Sequence, residues 1–255
     1  MTPDPIPVRH VPSVECRNCG AGAPVDEHFC PSCSRILALG RHGDYFAFLG
    51  LTRQLVIDQG DLDRRFRELS RQFHPDYYYN ASPAERLASL ERSSYLNDAY
   101  RALRNPVGRI EHLLAIEGLP PARSEEGTAK VPPALLESVF ALNEELDEIR
   151  ELRESGADPG QLRRRLDAAR LPIEKRRTEH EAQLRDLSAQ WDAGRDTSPD
   201  ERKRILEALR ERLLERNYIT NLLASVDRET AGLGLGPGPD SSEAQSQTPR
   251  VESHG

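Results

Sequence analysis

Apolar residues in this chain recur every three or four positions, segment after segment, and no β-branched run with strict alternation interrupts them. That periodicity most limits what the chain can become: it specifies helices with one greasy stripe and supplies no strands for a sheet core. Leu62, Phe66, Leu69 and Phe73 fall at i, i+4, i+7 and i+11. Leu135, Val139, Leu142, Leu146 and Ile149 repeat the pattern farther on. Charged residues make up 30% of the chain and aromatics only 5%, a balance suited to solvated helices. The fold class read from this is all-α.

Prolines and capping residues punctuate the stripes. Asp44 is a plausible N-cap of a short helix that Gly50 stops. The next helix begins near residues 58–61. Its apolar stripe has Arg64, Arg67 and Arg71 on a different face, and His74-Pro75-Asp76 ends it, because proline has no N–H and restricts the residue before it. Ser82-Pro83-Ala84-Glu85 has the form of a capping box. It opens a helix to about Arg104 that should carry Leu87, Leu90, Ala99 and Leu103 inward. Asn105-Pro106 breaks that helix, and a short one runs from Val107 to about Glu117. Residues 119–132 read as a linker rich in Pro, Gly, Ser and Glu. Three further helices should form an antiparallel bundle over 133–230, restarting at Asp158-Pro159 and at Ser198-Pro199-Asp200-Glu201, with a kink or restart at Leu171-Pro172. Residues 231–255 read as a disordered tail; their alternating glycines precede no helix and make no phosphate loop.

Cys16, Cys19, Cys30 and Cys33 form two C-x2-C pairs ten residues apart. Two such knuckles point four thiolates at one ion, the usual geometry of a closed, structural zinc site. Disulfides, a redox dithiol and iron are the other readings; disulfides would need an oxidising compartment, and one pair alone would serve a dithiol. His28, between the pairs, is surplus to four ligands and reads as a solvated loop residue. The metal would fold residues 1–40, a module too small for a core of its own. No stretch of 18 apolar residues exists, and Met1–Val14 lacks an apolar signal core, so a cytoplasmic protein with no membrane contact is expected. The net charge of -7 argues against a general nucleic-acid binder.

Asp44-Tyr45-Phe46, then Arg71-Gln72-Phe73-His74-Pro75-Asp76, then Leu96-Asn97-Asp98-Ala99-Tyr100 running on to Asn105-Pro106, resemble a J-domain. Tyr77-Tyr78-Tyr79 and Arg109-Ile110-Glu111-His112-Leu113-Leu114 narrow the resemblance to HscB, the J-protein of iron–sulfur cluster assembly. Glu144-Glu145-Leu146-Asp147-Glu148-Ile149 and Asn217-Tyr218-Ile219 continue it more weakly. The resemblance implies a J-domain over 43–118, with a helical hairpin carrying His74, Pro75 and Asp76 at its tip, where they stimulate a DnaK/HscA-type chaperone ATPase. Arg64, Arg67 and Arg71 would face an acidic groove of that partner; a solvated helix face paired with residues such as Glu68 is the plainer reading. It further implies that the C-terminal bundle binds an IscU-type iron–sulfur scaffold through an apolar patch of Leu136, Phe140 and Tyr218 ringed by Glu137, Glu144 and Glu148. Leu136, Phe140, Glu144 and Glu148 share one helical face, although Phe140 as ordinary core is the competing reading. Family members commonly lack a cysteine knuckle, so the zinc module is an elaboration.

The function implied is a co-chaperone that delivers the scaffold to the ATPase and has no catalysis of its own. No Walker motif, nucleophile elbow or clustered His/carboxylate site is present in the sequence. The alternatives are a zinc-knuckle regulatory binding module carrying a degenerate J-domain, and a redox protein using the cysteines.

Overall fold

Each cap named in the sequence sets a helix start. A computed structural model describes residues 13–40, 43–119, 133–194 and 197–234. The expected linker beyond residue 119, residues 1–12 of the expected N-terminal module and the expected tail from residue 235 lie outside the described residues; residues 231 and 232, expected in that tail, are instead the end of the last helix. The protein is all-α apart from one small antiparallel pair, β1 (Ser13–Glu15) with β2 (Gly22–Pro24), which registers Val14 against Ala23.

The Asp44 carboxylate accepts the Ala47 N–H and opens α1 (Tyr45–Phe48); Gly50, at φ +64°, lets the chain turn out of it. Asp58 caps α2 (Gln59–Phe73) through the Gly60 and Asp61 N–H groups. Ser82 and Glu85 form the full reciprocal capping box of α3 (Pro83–Arg104). Asn105 caps α4 (Pro106–Ile116). Then follow α5 (Pro133–Glu154), α6 (Pro159–Ala193) and α7 (Pro199–Gly232), every one with proline at its first position, where a missing N–H costs nothing. α6 runs through Pro172 without the restart that was one of the two expectations there, although proline cannot donate a hydrogen bond at that position. Leu166 and Ile173 on either side are held in the core. No helix among the described residues is long and apolar enough to cross a membrane.

The chain divides into two compact units. One holds the N-terminal segment through α4 together with Leu184–Glu211, the end of α6 and the start of α7. The other holds α5 with the remaining parts of α6 and α7. In the second, Leu135, Leu142, Leu146 and Ile149 meet Leu162, Leu166 and Ile173 of α6 and Ile219, Leu223 and Val226 of α7, the stripes read from the sequence. In the first, Phe46, Phe48, Leu62, Phe73, Leu96, Ala99 and Leu103 form the core.

One face was misjudged from sequence. Leu87 and Leu90 are 50% and 55% exposed, whereas Ala88, Ser89, Arg92 and Leu96 point inward with Ala99 and Leu103. Traced back from Leu103 in steps of three and four, the true stripe passes through an arginine and a serine. A reading led by hydrophobicity therefore slides onto the neighbouring leucines.

Candidate functional site

The cysteine module is built from two similar turns. Cys16 O accepts from Gly20 N–H and Cys30 O from Ser34 N–H, both at 2.8 Å; Gly20 (φ +73°) and Ser34 (φ +58°) take the left-handed conformation that closes each knuckle. Cys16 N–H then bonds Ala21 O at 2.9 Å, and Cys30 N–H bonds Arg35 O at 2.8 Å. The four sulfurs lie within 4.8 Å of one another, with Cys16–Cys33 at 3.7 Å and Cys19–Cys30 at 3.6 Å. A tetrahedral site with Zn–S bonds of about 2.3 Å needs sulfurs about 3.8 Å apart, so the residues fit that ion. All four cysteines are free thiols. The Arg35 N–H and the Asn18 side-chain amide lower the Cys33 pKa to about 6, while contact with the Cys33 sulfur helps push that of Cys19 up to about 12, so the four close sulfurs share their protons unequally.

His28 is not a solvated loop residue. Its ring packs edge-on against Phe48 and Phe73, with centroids 4.9 and 5.0 Å away, and its Nδ1 lies 2.7 Å from Arg92 Nη1. Burial and the Arg92 charge lower its pKa to about 4, so it is neutral and free to accept. Phe29 and Leu39 also pack on the core of the helical unit, and Ile36 belongs to it. One signal for this arrangement was present in the sequence, an arginine at position 92 on a stripe made otherwise of apolar and small residues. Its partner could not be read, since it consists of main-chain carbonyls.

The tripeptide stands at the end of α2. Phe73, fully buried, is the last helical residue; its carbonyl accepts from Ser89 Oγ at 2.7 Å and Ser93 Oγ at 2.8 Å. Those bonds replace the helical donors that are missing after Phe73. His74 is extended (φ −58°, ψ 125°), as a residue before proline must be, and Pro75–Tyr78 forms one tight 3-10 turn. The side chains of His74 and Asp76 are 52% and 85% exposed, with Nδ1 and a carboxylate oxygen 3.6 Å apart. Tyr78 turns back and donates to Gln72 O, while Tyr77 and Tyr79 face solvent. Ser70, Arg71, His74, Asp76 and Tyr77 line an open hollow of about 230 Å³.

Arg64, Arg67 and Arg71 are all exposed on α2. Arg64 is engaged within its helix, by Asp61 and by Glu68 at 3.5 Å. Arg71 borders the hollow. On α5, Phe140 is 69% exposed, which removes the reading of it as core, and Leu136 is exposed beside it. Glu137, Glu144 and Glu148 are exposed on the same helix, and Arg165 reaches Glu148 at 2.6 Å. Tyr218 differs: it is half-buried against the core of its unit. A groove of about 500 Å³ adjoins this patch, sharing Glu137 with it and lined also by Ala141, Leu142, Ala169, Ile173 and Leu222; it had no signal in the sequence.

No family model matches the chain. Its fold is that of two solved structures. Human co-chaperone protein HscB aligns with a TM-score of 0.63 at 22% identity, over 86% of this chain and 100% of that one. Chaperone HscB from Vibrio cholerae aligns with a TM-score of 0.51 at 24% identity, over 74% of this chain and 99% of that one.

Proposed function

We propose that this chain, which has the HscB fold, is a J-type co-chaperone of iron–sulfur cluster assembly. It stimulates the ATPase of a DnaK/HscA-type chaperone through His74, Pro75 and Asp76, and brings to it an IscU-type scaffold held by the bundle at 133–230. The observation that carries the reading is the tip of the 43–118 domain. Three polar or turn-forming residues are displayed together where α2 passes into a 3-10 turn, anchored from behind by a buried phenylalanine. A loop displayed in this way suits contact with a partner surface. Arg67 and Arg71 extend that contact along α2 as a basic strip, which would steer an acidic surface onto it.

The scaffold face rests on Phe140. A large aromatic left exposed amid Glu137, Glu144 and Glu148 is what a protein-binding hot spot with a polar rim requires. Bound zinc has a structural role in this reading, since four protein ligands leave no open position for a substrate. The protein is an adaptor without catalysis of its own, working in the cytoplasm, where thiols stay reduced.

The test is a steady-state ATPase assay with a DnaK/HscA-type chaperone, with and without an IscU-type scaffold. The chain should stimulate hydrolysis alone and stimulate it further with scaffold present. No stimulation in either condition would overturn the proposal.

A further inference from the structure

We propose that the cysteine module is part of the tripeptide's support, and that Arg92 is the positioning residue joining the two: metal held by the four cysteines keeps the root of His74-Pro75-Asp76 in place. Only the significance for ATPase stimulation rests on the function proposed above; the coupling itself is a property of this chain.

Arg92 sits on α3 with 1% of its surface exposed. Among the described residues no carboxylate pairs with it. Its polar contacts all go to the module. Nε donates to Leu37 O at 2.8 Å, Nη2 to Glu27 O and Ala38 O at 3.1 Å each, and Nη1 meets His28 Nδ1 at 2.7 Å. These acceptors flank the Cys30–Cys33 knuckle, two residues before it and two after. Phe29, Ile36, Leu39 and the Arg35–Glu85 ion pair also tie the module to the helices, but its internal core is small, with Cys16, Ala23, Cys30 and Leu37 its buried members. A segment with so small a core depends on its metal to fold.

The same arginine touches the tip's root. Its guanidinium lies over the Phe73 ring, 5.6 Å from the centroid. His28 and Phe29 contact that ring from the module. Ser89 and Ser93, which hold the Phe73 carbonyl, flank Arg92 on α3. If the knuckle opens, a buried cation loses its acceptors and must move to water, because an unpaired buried charge is strongly unfavourable. Its departure, with that of His28 and Phe29, uncovers the residue on which His74 is mounted. Coupling of this kind is reciprocal, so the ordered tip favours metal binding as much as metal favours the ordered tip, and a substitution that removes the link at Arg92 should weaken metal binding.

The experiment uses the full chain loaded with zinc. Hydrogen exchange is followed by mass spectrometry before and after chelation, and zinc retention is measured by competition with a chromogenic chelator. Chelation of the wild type should speed exchange at residues 69–79 by about tenfold or more, and leave 142–150 in α5 unchanged. Arg92→Met should hold zinc about tenfold less tightly and exchange fast at the tip with or without metal; Arg92→Lys, which keeps a donor, should fall between. If Arg92→Met does not fold, the double variant Cys19→Ser, Cys33→Ser, with Arg92 intact, must reproduce the chelated wild type. The proposal is overturned if residues 13–38 open on chelation while 69–79 keep their rate, or if Arg92→Met retains zinc as the wild type does. Failure of zinc-loaded wild type to stimulate any DnaK-type ATPase would remove the functional reading and leave the exchange result standing.

Discussion

Asp192 accepts the main-chain N–H of Leu55 at 2.8 Å, and its second carboxylate oxygen takes the Val56 N–H at 2.7 Å. One side chain near the end of α6 thereby satisfies two donors in the loop before α2, and Leu55 is buried beneath it. Asp192→Ala should destabilise this compact unit by about 1 kcal/mol, mainly the cost of leaving the part-buried Leu55 donor unpaired, since the Val56 donor is exposed and can turn to water. Trp191 is the chain's sole tryptophan and carries the Arg202 guanidinium 4.0 Å from its ring centroid, so its fluorescence reports the change. A urea midpoint equal to that of the wild type would show that these bonds contribute nothing.

His74→Gln and Asp76→Asn should abolish ATPase stimulation with little loss of stability. Both side chains are largely exposed, and the His74 ring holds the Asp76 N–H only at 3.4 Å, so the expected stability change is within about 0.5 kcal/mol. Thermal melts alongside the ATPase assay check both halves. Either variant stimulating like the wild type removes the tripeptide from the mechanism.

Charge reversal on α2 should act unevenly. Arg64 is already paired with Asp61 and Glu68, whereas Arg71 lines the hollow beside His74. Arg67→Glu and Arg71→Glu should therefore weaken the ATPase contact more than Arg64→Glu, and the differences should shrink in high salt, where exposed charges are screened. Equal effects of all three, or none, would count against a directed basic strip.

Phe140 and Tyr218 should separate binding from folding. Phe140→Ala removes an exposed ring and should leave the melting temperature unchanged while weakening scaffold binding by more than about 1 kcal/mol, roughly fivefold. Tyr218→Ala removes part of a core contact and should lower the melting temperature. Retained scaffold affinity in Phe140→Ala would place the interface elsewhere on the bundle.

Acid should destabilise the protein below about pH 6.5. Burial lowers the His112 pKa from 6.5 to about 4, and its Nε2 accepts the Tyr45 N–H at 2.9 Å in a stacked arrangement with the Tyr45 ring. Between those values the unfolded chain takes up a proton that the folded chain refuses. Stability is therefore complete above the unfolded pKa and is lost as pH falls through the window toward 4. His180, lowered by burial beside the Arg212 carbonyl, acts in the same sense. Melting temperatures from pH 7 to 4 should fall less steeply in His112→Gln; parallel curves would refute this role.

The helix starts were legible because their signals are local: Asp44, Asp58, Ser82 and Asn105 each bond an N–H within three residues. The bundle stripes were legible because leucine marks them. The four cysteines were legible as a cluster because spacing alone brings two turns together. What escaped the sequence depends on partners far along the chain. Arg92 and Ser89 face inward because carbonyls at positions 27, 37, 38 and 73 await them, and no periodicity encodes that. His28 reads as surplus from local spacing because its ring contacts lie 20 or more residues away, on Phe48, Phe73 and Arg92. The resemblance groups Tyr218 with Phe140, though one is half-buried and the other open to solvent.

The shared core of the cysteine module and the helices makes the module a poor cassette for protein engineering. Grafted onto another helical host, residues 13–38 would bring three inward-facing carbonyls and a histidine acceptor, and in a host without an arginine at the Arg92 position would leave them unpaired. A transplant would need the arginine moved with it, together with small residues where Ala88 and Ser89 now stand. The transferable piece is thus a discontinuous one, a knuckle and one helix face, separated in the chain by more than fifty residues.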